Sequence, residues 1–231
     1  MKHQSLLVIC LCIASLMTIA PEARGQDIKS LIGALGDENM GVRQQAAFAL
    51  GKIGEPAVPA LIEALGDENM RVRLFAAKAL HEIGEPAKQA VPALIKALGD
   101  ESQEVFRIEV AWALADIGEP AKQAVPALIK ALDDESQQVR RFAAKALGQI
   151  GNAQVVPALI EALGDKAEVV RSHVTLALGQ IGEPAKEAVP ALIKALGDED
   201  RKVRRYAAEA LKKIGTPEAM KTVEQYEQQQ K

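Results

Sequence analysis

The sequence predicts an all-α protein built from six consecutive two-helix repeats, and three observations lead to that fold class. Apolar residues make up 48% of the chain but aromatic residues only 3%, so most of the apolar content is Ala, Leu, Ile and Val. Ala and Leu are strong helix formers. The segment VPALIKALGD occurs at residues 91–100 and again at 189–198, with near copies elsewhere. Within each copy the apolar residues recur with helical spacing.

Residues 1–25 are predicted to be a secretory signal peptide. The apolar run LLVICLCIASLMTIA at residues 6–20 is shorter than the roughly 20 apolar residues that a membrane span needs. Ala23 and Gly25 place small residues at the two positions that a signal peptidase requires, so we expect cleavage before Gln26. An uncleaved membrane anchor is the alternative.

Cysteine and charge content narrow the class of protein further. Cleavage would remove Cys10 and Cys12, the only cysteines, and with them any disulfide or thiol chemistry. The formal net charge is −3 with both signs mixed, which is not the basic footprint of a nucleic-acid partner. We therefore expect an exported protein, periplasmic or extracellular. Its mature form should have no membrane partner unless the N-terminal segment stays as an anchor.

The repeats are predicted to fill residues 26–215. They are 30 to 34 residues apart and begin at one recurring position: Ile28, Val58, Val91, Val125, Val156 and Val189. Each begins with a short helix, in which residues such as Val91, Leu94, Ile95 and Leu98 form one apolar stripe after an early proline.

The second helix of each repeat is also amphipathic. In the second repeat, Val72, Ala76, Ala79, Leu80 and Ile83 share one face, and the glycine that follows can end the helix with a left-handed residue. Helices this short are marginal alone, so neighbouring repeats must bury each other's stripes. Small residues are expected to keep the packed backbones close: Ala46, Ala77, Ala144 and Ala208.

An aspartate and an arginine recur in every repeat. The aspartates are Asp37, Asp67, Asp100, Asp134, Asp165 and Asp198, and the arginines are Arg43, Arg73, Arg107, Arg140, Arg171 and Arg204. The aspartate can cap the second helix or its preceding turn, and the arginine can reach it or the aspartate of a neighbouring repeat. We interpret the pairs as a structural charge ladder. After the last repeat, residues 216–231 are predicted to form a capping helix with a frayed end.

The pattern VPALIxALxD…VRxxAAxALGxIG resembles the HEAT-like repeat of the phycobilin-lyase type, over residues 28–215. The resemblance implies a right-handed α-solenoid, a superhelix whose concave face is lined by the second helices. It implies a protein that binds other proteins. It also brings in two enzyme classes, the bilin lyases and the di-iron enzyme deoxyhypusine hydroxylase.

The residues that carry chemistry do not support a di-iron enzyme. His81 and His173 lie three repeats apart, roughly 30 Å at the usual helix spacing. The hydroxylase would need His-Glu steps near the start of several second helices, whereas His81-Glu82 lies at a helix end. Ser172 and His173 are adjacent and so point apart on a helix. We therefore predict no enzyme, no catalytic residue, no cofactor and no metal ligand.

Two alternatives remain open. One is a bilin-lyase-like enzyme or enzyme subunit. That activity has no compact motif whose absence from the sequence would exclude it, although export argues against it. A calcium-binding structural array is the other, because acidic turns such as Asp37-Glu38 and Asp67-Glu68 would stack along one edge.

The face of each second helix opposite its core stripe is the candidate binding surface, because it carries apolar residues where a repeat protein usually places polar ones. Trp112, the only tryptophan, is of a type enriched at binding hot spots. The predicted binding residues are Phe48, Leu74, Ile108, Trp112, Arg141, Lys145, Leu176 and Arg205. Apolar anchors beside cations favour a protein or peptide with an apolar and an acidic part. Shielding of the same side chains by packing is the alternative.

Overall fold

The computed structural model describes residues 21–100 and 103–229, and thirteen α-helices occur in this part of the chain. The apolar run at residues 6–20, on which the signal-peptide prediction depends, lies outside the described residues. The first described helix begins at Pro21, within the segment predicted to be removed. Among the described residues, no helix is both long and apolar enough to cross a bilayer.

The chain divides into two compact units between Ile117 and Gly118. The first unit contains three helical hairpins, each a first helix followed by a second helix. Its helices are α1 (Pro21–Ala34), α2 (Met40–Ile53), α3 (Val58–Ala64), α4 (Met70–Ile83), α5 (Val91–Leu98) and α6 (Glu104–Ile117). The second helices pack side by side in the order α2, α4, α6.

The second unit contains three further hairpins and one additional helix. Its helices are α7 (Val125–Ala131), α8 (Gln137–Ile150), α9 (Val156–Ala162), α10 (Glu168–Ile181), α11 (Val189–Ala195), α12 (Arg201–Ile214) and α13 (Pro217–Gln229). The second helices pack in the order α8, α10, α12, and α13 packs on α12 and α11. The predicted all-α repeat fold is confirmed.

The core consists of the recurring stripe residues. Val91 and Leu94 are fully buried, Leu98 is nearly so, and Ile95 is only half-buried. The equivalent leucines of four other first helices are also fully buried, namely Leu61, Leu128, Leu159 and Leu192. Burying one such side chain is worth about 1.5–3 kcal/mol. Neighbouring hairpins therefore stabilise one another through these contacts.

The link from one repeat to the next is a short 3-10 helix that the sequence pattern did not reveal. Glu85–Ala90 is one example, lying between α4 and α5. Gly84 precedes it with φ 67° and ψ −137°, which is not the predicted left-handed helical conformation. Positive φ is open to glycine at little cost. Gly151 and Gly215 do adopt the left-handed conformation.

Candidate functional site

The second-helix face of the first unit carries a run of apolar side chains. Phe48 on α2 is 46% exposed, and Leu74 on α4, like Ile108 and Trp112 on α6, is half-buried. Val105, one helical turn before Ile108, is 54% exposed and extends the same strip. Sequence reasoning missed Val105, although stepping three residues back from Ile108 would have found it. We call these five residues the apolar face.

Trp112 is partly covered by a neighbouring helix. Its ring lies against the His81 ring of α4, with centroids 4.3 Å apart and planes tilted by 37°. His81 Nδ1 is 2.5 Å from Asp116 Oδ2, a close contact between α4 and α6 without hydrogen-bond geometry. His81 occupies the position held by Gly51, Gly148 or Gly179 in other repeats. The histidine therefore supports one side of Trp112, while the indole stays half-buried at the surface.

Glu109 lies beside this support in an unfavourable environment. Its Oε2 is buried without a hydrogen-bond partner among the described residues. Burial raises the pKa of Glu109 above its ordinary value, and Glu82 adds to that effect, whereas the positive charges of Lys78 and His81 oppose it. Because burial outweighs the attraction, Glu109 destabilises the folded unit when it is ionised.

We expect Glu109→Gln to raise the free energy of unfolding by about 0.5–1 kcal/mol at pH 7, because the amide removes a partly desolvated charge. A folded-state pKa above the unfolded value means that the wild-type chain gains stability as pH falls towards 4.5. The advantage of the variant should therefore shrink over that range. Urea unfolding at several pH values measures it. An advantage that is constant with pH would contradict the explanation.

The second-helix face of the second unit is polar and cationic. Arg141 on α8 donates from Nε to His173 Nε2 of α10 at 3.1 Å, and from a terminal nitrogen to Gln138 Oε1 at 3.2 Å. His173 Nδ1 lies 2.8 Å from the carbonyl oxygen of Val169 and donates to it. This arrangement requires a neutral imidazole with its proton on Nδ1.

The pKa of His173 lies below its ordinary value. Burial lowers it most, and the charges of Arg141, Lys145 and Lys202 lower it further, against the hydrogen bond to Val169. Lys202, on the first turn of α12, is therefore part of this face, although it is not among the residues predicted from the sequence.

We expect nitrogen-detected NMR to find His173 as the Nδ1–H tautomer at pH 7, with a titration midpoint below that of an exposed histidine. Lys202→Gln should raise that midpoint, because one of the charges that disfavour the imidazolium is removed. Lys194→Gln, on a first helix, is the control and should leave the midpoint unchanged. A midpoint at or above the exposed value would show that the ring is not held as described.

The remaining predicted residues of this face have partners or are half-buried. Arg205 is exposed and lies 3.6 Å from Glu209 one turn later. Leu176 is half-buried. Ser172, which shares this face, is buried and donates to the carbonyl oxygen of Val169 at 3.0 Å. The strongest positive character therefore lies around Arg141, Lys145 and Lys202.

The recurring aspartates cap turns, and the recurring arginines bind the backbone of the same turns. Asp134 Oδ1 accepts from the backbone N–H of Ser136 at 2.8 Å, and Ser136 in turn caps the start of α8. Arg140 donates to the carbonyl oxygens of Asp134 and Glu135 at 2.8 and 3.0 Å. The same pattern recurs with Arg43, Arg73, Arg171 and Arg204. The aspartate thus caps the turn before the second helix and does not cap the helix itself.

Ion pairs between repeats are close in the second unit. Arg140 donates to both carboxylate oxygens of Asp165 at 2.6 and 2.9 Å, and Arg171 does the same to Asp198 at 2.8 and 3.0 Å. Burial alone would raise the pKa of Asp198. The hydrogen bond and charge of Arg171, with the backbone N–H of Asp200, outweigh it and hold the pKa below the ordinary value.

The corresponding contacts are looser in the first unit. Arg73 approaches Asp100 at 3.8 Å, and the Nε atoms of Arg43 and Arg73 are buried without hydrogen-bond partners among the described residues. The guanidinium of Arg73 lies 5.8 Å from the ring centroid of Phe106 instead. Every other repeat has valine where the third has Phe106. The larger ring occupies the space beside the arginine.

The acidic turns considered for calcium are engaged in these bonds. Among the described residues, no group of three or more His, Cys, Asp or Glu side chains is arranged to hold a metal ion.

Comparison with known proteins identifies the repeat. A family of HEAT repeats matches residues 28–89, 125–186 and 184–228, and the PBS lyase HEAT-like repeat matches residues 106–134. No curated protein sequence matches the chain.

Solved structures share the fold. A designed armadillo repeat protein in complex with peptide (KR)4 is 23% identical, with a TM-score of 0.61, and the match covers 81% of this chain and 99% of that one. An engineered protein is 26% identical, with a TM-score of 0.57 and coverage of 87% and 61%. The complex of CpcE and CpcF of phycocyanin lyase from Nostoc sp. PCC7120 is 24% identical, with a TM-score of 0.60 and coverage of 66% and 98%. Since the HEAT model matches more than half of the residues, the chain belongs to the HEAT repeat family.

Proposed function

We propose that this protein is an exported, non-enzymatic scaffold that binds another protein or a peptide through the exposed faces of its second helices. The observation that carries the proposal is the apolar face of the first unit, where Val105, Ile108 and Trp112 form one strip along α6. Large aromatic anchors at a partly exposed surface are the side chains that contribute most to protein binding.

The arrangement around Trp112 supports binding over simple packing. The His81 ring covers one side of the indole at a centroid distance of 4.3 Å, and His81 is in close contact with Asp116. A ring held in place loses little conformational freedom when a partner covers it, which favours affinity. One solved structure of similar fold, the designed armadillo repeat protein, is in complex with a peptide.

The test is affinity capture from extracts of the source cells with the chain that begins at Gln26. We expect Ile108→Ala combined with Trp112→Ala to abolish capture of the partner, because the double change removes the centre of the apolar face. Met220→Ala is the control. It removes a side chain that is 39% exposed on α13, in the second unit, and should leave capture intact. Circular dichroism checks that all variants are folded. Equal capture by the double variant and the wild type would refute the proposal.

Export is tested separately by cell fractionation and the mass of the processed chain. We expect the protein outside the cytoplasm, with Gln26 as its first residue. Cytoplasmic, unprocessed protein would contradict this part and would favour the bilin-lyase-like alternative, for which one neighbour of similar fold belongs to phycocyanin lyase. A chain that carried a pigment after purification would point the same way.

A further inference from the structure

The second unit offers a more specific inference, which rests on the proposed function and names the chemistry of one partner segment. We propose that Arg141, Lys145 and Lys202, grouped with His173, form a binding site for an acidic peptide segment whose Asp or Glu carboxylates the three cations hold. We call these four residues the cationic face. They lie on the three adjacent second helices α8, α10 and α12.

The geometry brings these side chains to one place. Arg141 and His173 are joined directly by the 3.1 Å hydrogen bond from α8 to α10. Lys145 is one turn after Arg141 on the same face of α8. The charges of Arg141, Lys145 and Lys202 all act on the His173 ring. Three cations from two helices therefore surround a neutral, half-buried imidazole on the helix between them.

The carboxylates near this site do not cancel its charge. Glu209 on α12 pairs with Arg205, which is a further cation of the same helix. Glu168 begins α10 and is exposed. Helix α12 as a whole, RKVRRYAAEALKKI, has six basic residues and one acidic residue. Lys212 pairs with Glu227, and Arg204 binds the backbone of the turn before α12, so the positive charge of this face is that of Arg141, Lys145 and Lys202, although the whole chain has a formal net charge of −3.

An acidic peptide fits this surface better than a nucleic acid. Proteins that bind nucleic acids combine clustered Lys and Arg with a basic domain, whereas this chain has a formal net charge of −3. Leu176 and Val169 lie half-buried on α10 within the same face, so the surface suits a chain that alternates carboxylates with aliphatic groups. Packed helices are about 8–10 Å apart and an extended chain advances about 3.3 Å per residue. About six residues therefore reach from α8 to α12.

The first probe is the acidic octapeptide (Asp-Glu)4, titrated into the chain that begins at Gln26 at low salt. We expect saturable binding that weakens with added salt and raises the titration midpoint of His173 in NMR, because nearby carboxylates favour the imidazolium. The inverse peptide (Lys-Arg)4, which the designed armadillo repeat protein holds, should not bind. Absence of (Asp-Glu)4 binding, or equal binding of (Lys-Arg)4, would overturn the proposal.

A charge-matched pair of variants assigns the site. Lys145→Glu with Lys202→Glu changes two residues of the cationic face and should weaken (Asp-Glu)4 binding about tenfold or more. Lys130→Glu with Lys194→Glu makes the same change of charge at exposed lysines of the first helices α7 and α11. This pair should weaken (Asp-Glu)4 binding far less. An equal loss in both pairs would show attraction to the whole chain and no site.

Two further outcomes would overturn the acidic-peptide site in different ways. Tighter binding of single-stranded oligothymidylate, abolished by the same Lys145 and Lys202 changes, would reassign the cationic face to nucleic acid and refute the peptide. Partner capture that depends on Trp112, together with no effect of (Asp-Glu)4, would leave the proposed scaffold function standing and remove only the acidic segment.

Discussion

Replacing Gly148 with alanine is expected to destabilise the second unit by about 2 kcal/mol, although alanine is the better helix former. A Cβ at this position would lie 2.7 Å from both Cα and Cβ of Ala177 and 2.6 Å from Oε1 of Gln180. The glutamine can move, but the backbone of α10 cannot move without separating from α8. Overpacking of this kind costs about 1–3 kcal/mol, which exceeds the gain in helix propensity of about 0.5–1 kcal/mol.

Three glycines that differ in the space around an added Cβ test this expectation. At Gly179 the added Cβ would lie 3.0 Å from Ala210, so Gly179→Ala should cost less than Gly148→Ala. Gly33, in α1, has no atom within 4 Å of the added carbon and is exposed, so Gly33→Ala should be neutral or stabilising. Urea unfolding followed by circular dichroism gives the order. If Gly148→Ala and Gly33→Ala had the same effect, helix separation would not be the controlling quantity.

The repeats and their core could be predicted from the sequence because both depend on the spacing of apolar residues within single helices. Stripe positions such as Val91 and Leu94 face inward because helix geometry places them together, and the structure buries them fully. The recurring aspartates and arginines were equally visible, since every copy repeats them. Ile95 is half-buried because it lies at the edge of its stripe.

The environment of the candidate site could not be predicted, because it depends on contacts between helices that are far apart in the sequence. Arg141 is predicted to bind a partner, and in the structure it also donates to His173, thirty-two positions later. Trp112 is supported by His81 because that repeat departs from the small residue found in others. Lys202 lies one turn before Arg205 on the same face of α12, but it is not among the predicted binding residues.

The loose contact of Arg73 with Asp100 in the first unit accompanies one substitution in the repeat pattern. Where other repeats have valine, Phe106 fills the space beside Arg73, and Arg73 is left 3.8 Å from Asp100. Arg140 and Arg171, which face valine at that position, make two hydrogen bonds each to the next aspartate. The sequence shows both the phenylalanine and the arginine, but the resulting geometry needs the packed helices.

Arg171→Met is expected to cost about 3 kcal/mol, more than Gly148→Ala, because it breaks the best-satisfied ion pair between repeats. Arg171 is 8% exposed, binds Asp198 with two hydrogen bonds and also holds the carbonyl oxygen of Asp165. Removing one partner of a buried pair leaves the charge of the other uncompensated, typically at a cost of about 3–5 kcal/mol. Because Arg171 and Asp198 keep some exposure to solvent, we expect the lower end of that range.

The matched variant is Arg73→Met, which removes an arginine at the same position of another repeat whose aspartate lies at 3.8 Å. It should cost about 1 kcal/mol or less, as partly exposed pairs do.

Acid provides a second test. Since the pKa of Asp198 is lowered in the folded state, its contribution is complete above the ordinary value of 3.8 and is lost as pH falls below it. The gap between wild type and Arg171→Met should therefore narrow below pH 3.8 but not vanish, because the bonds from Arg171 to backbone carbonyl oxygens do not titrate. Equal costs for the two arginines, or a gap that does not change with acid, would show that the bidentate pair is not what stabilises the second unit.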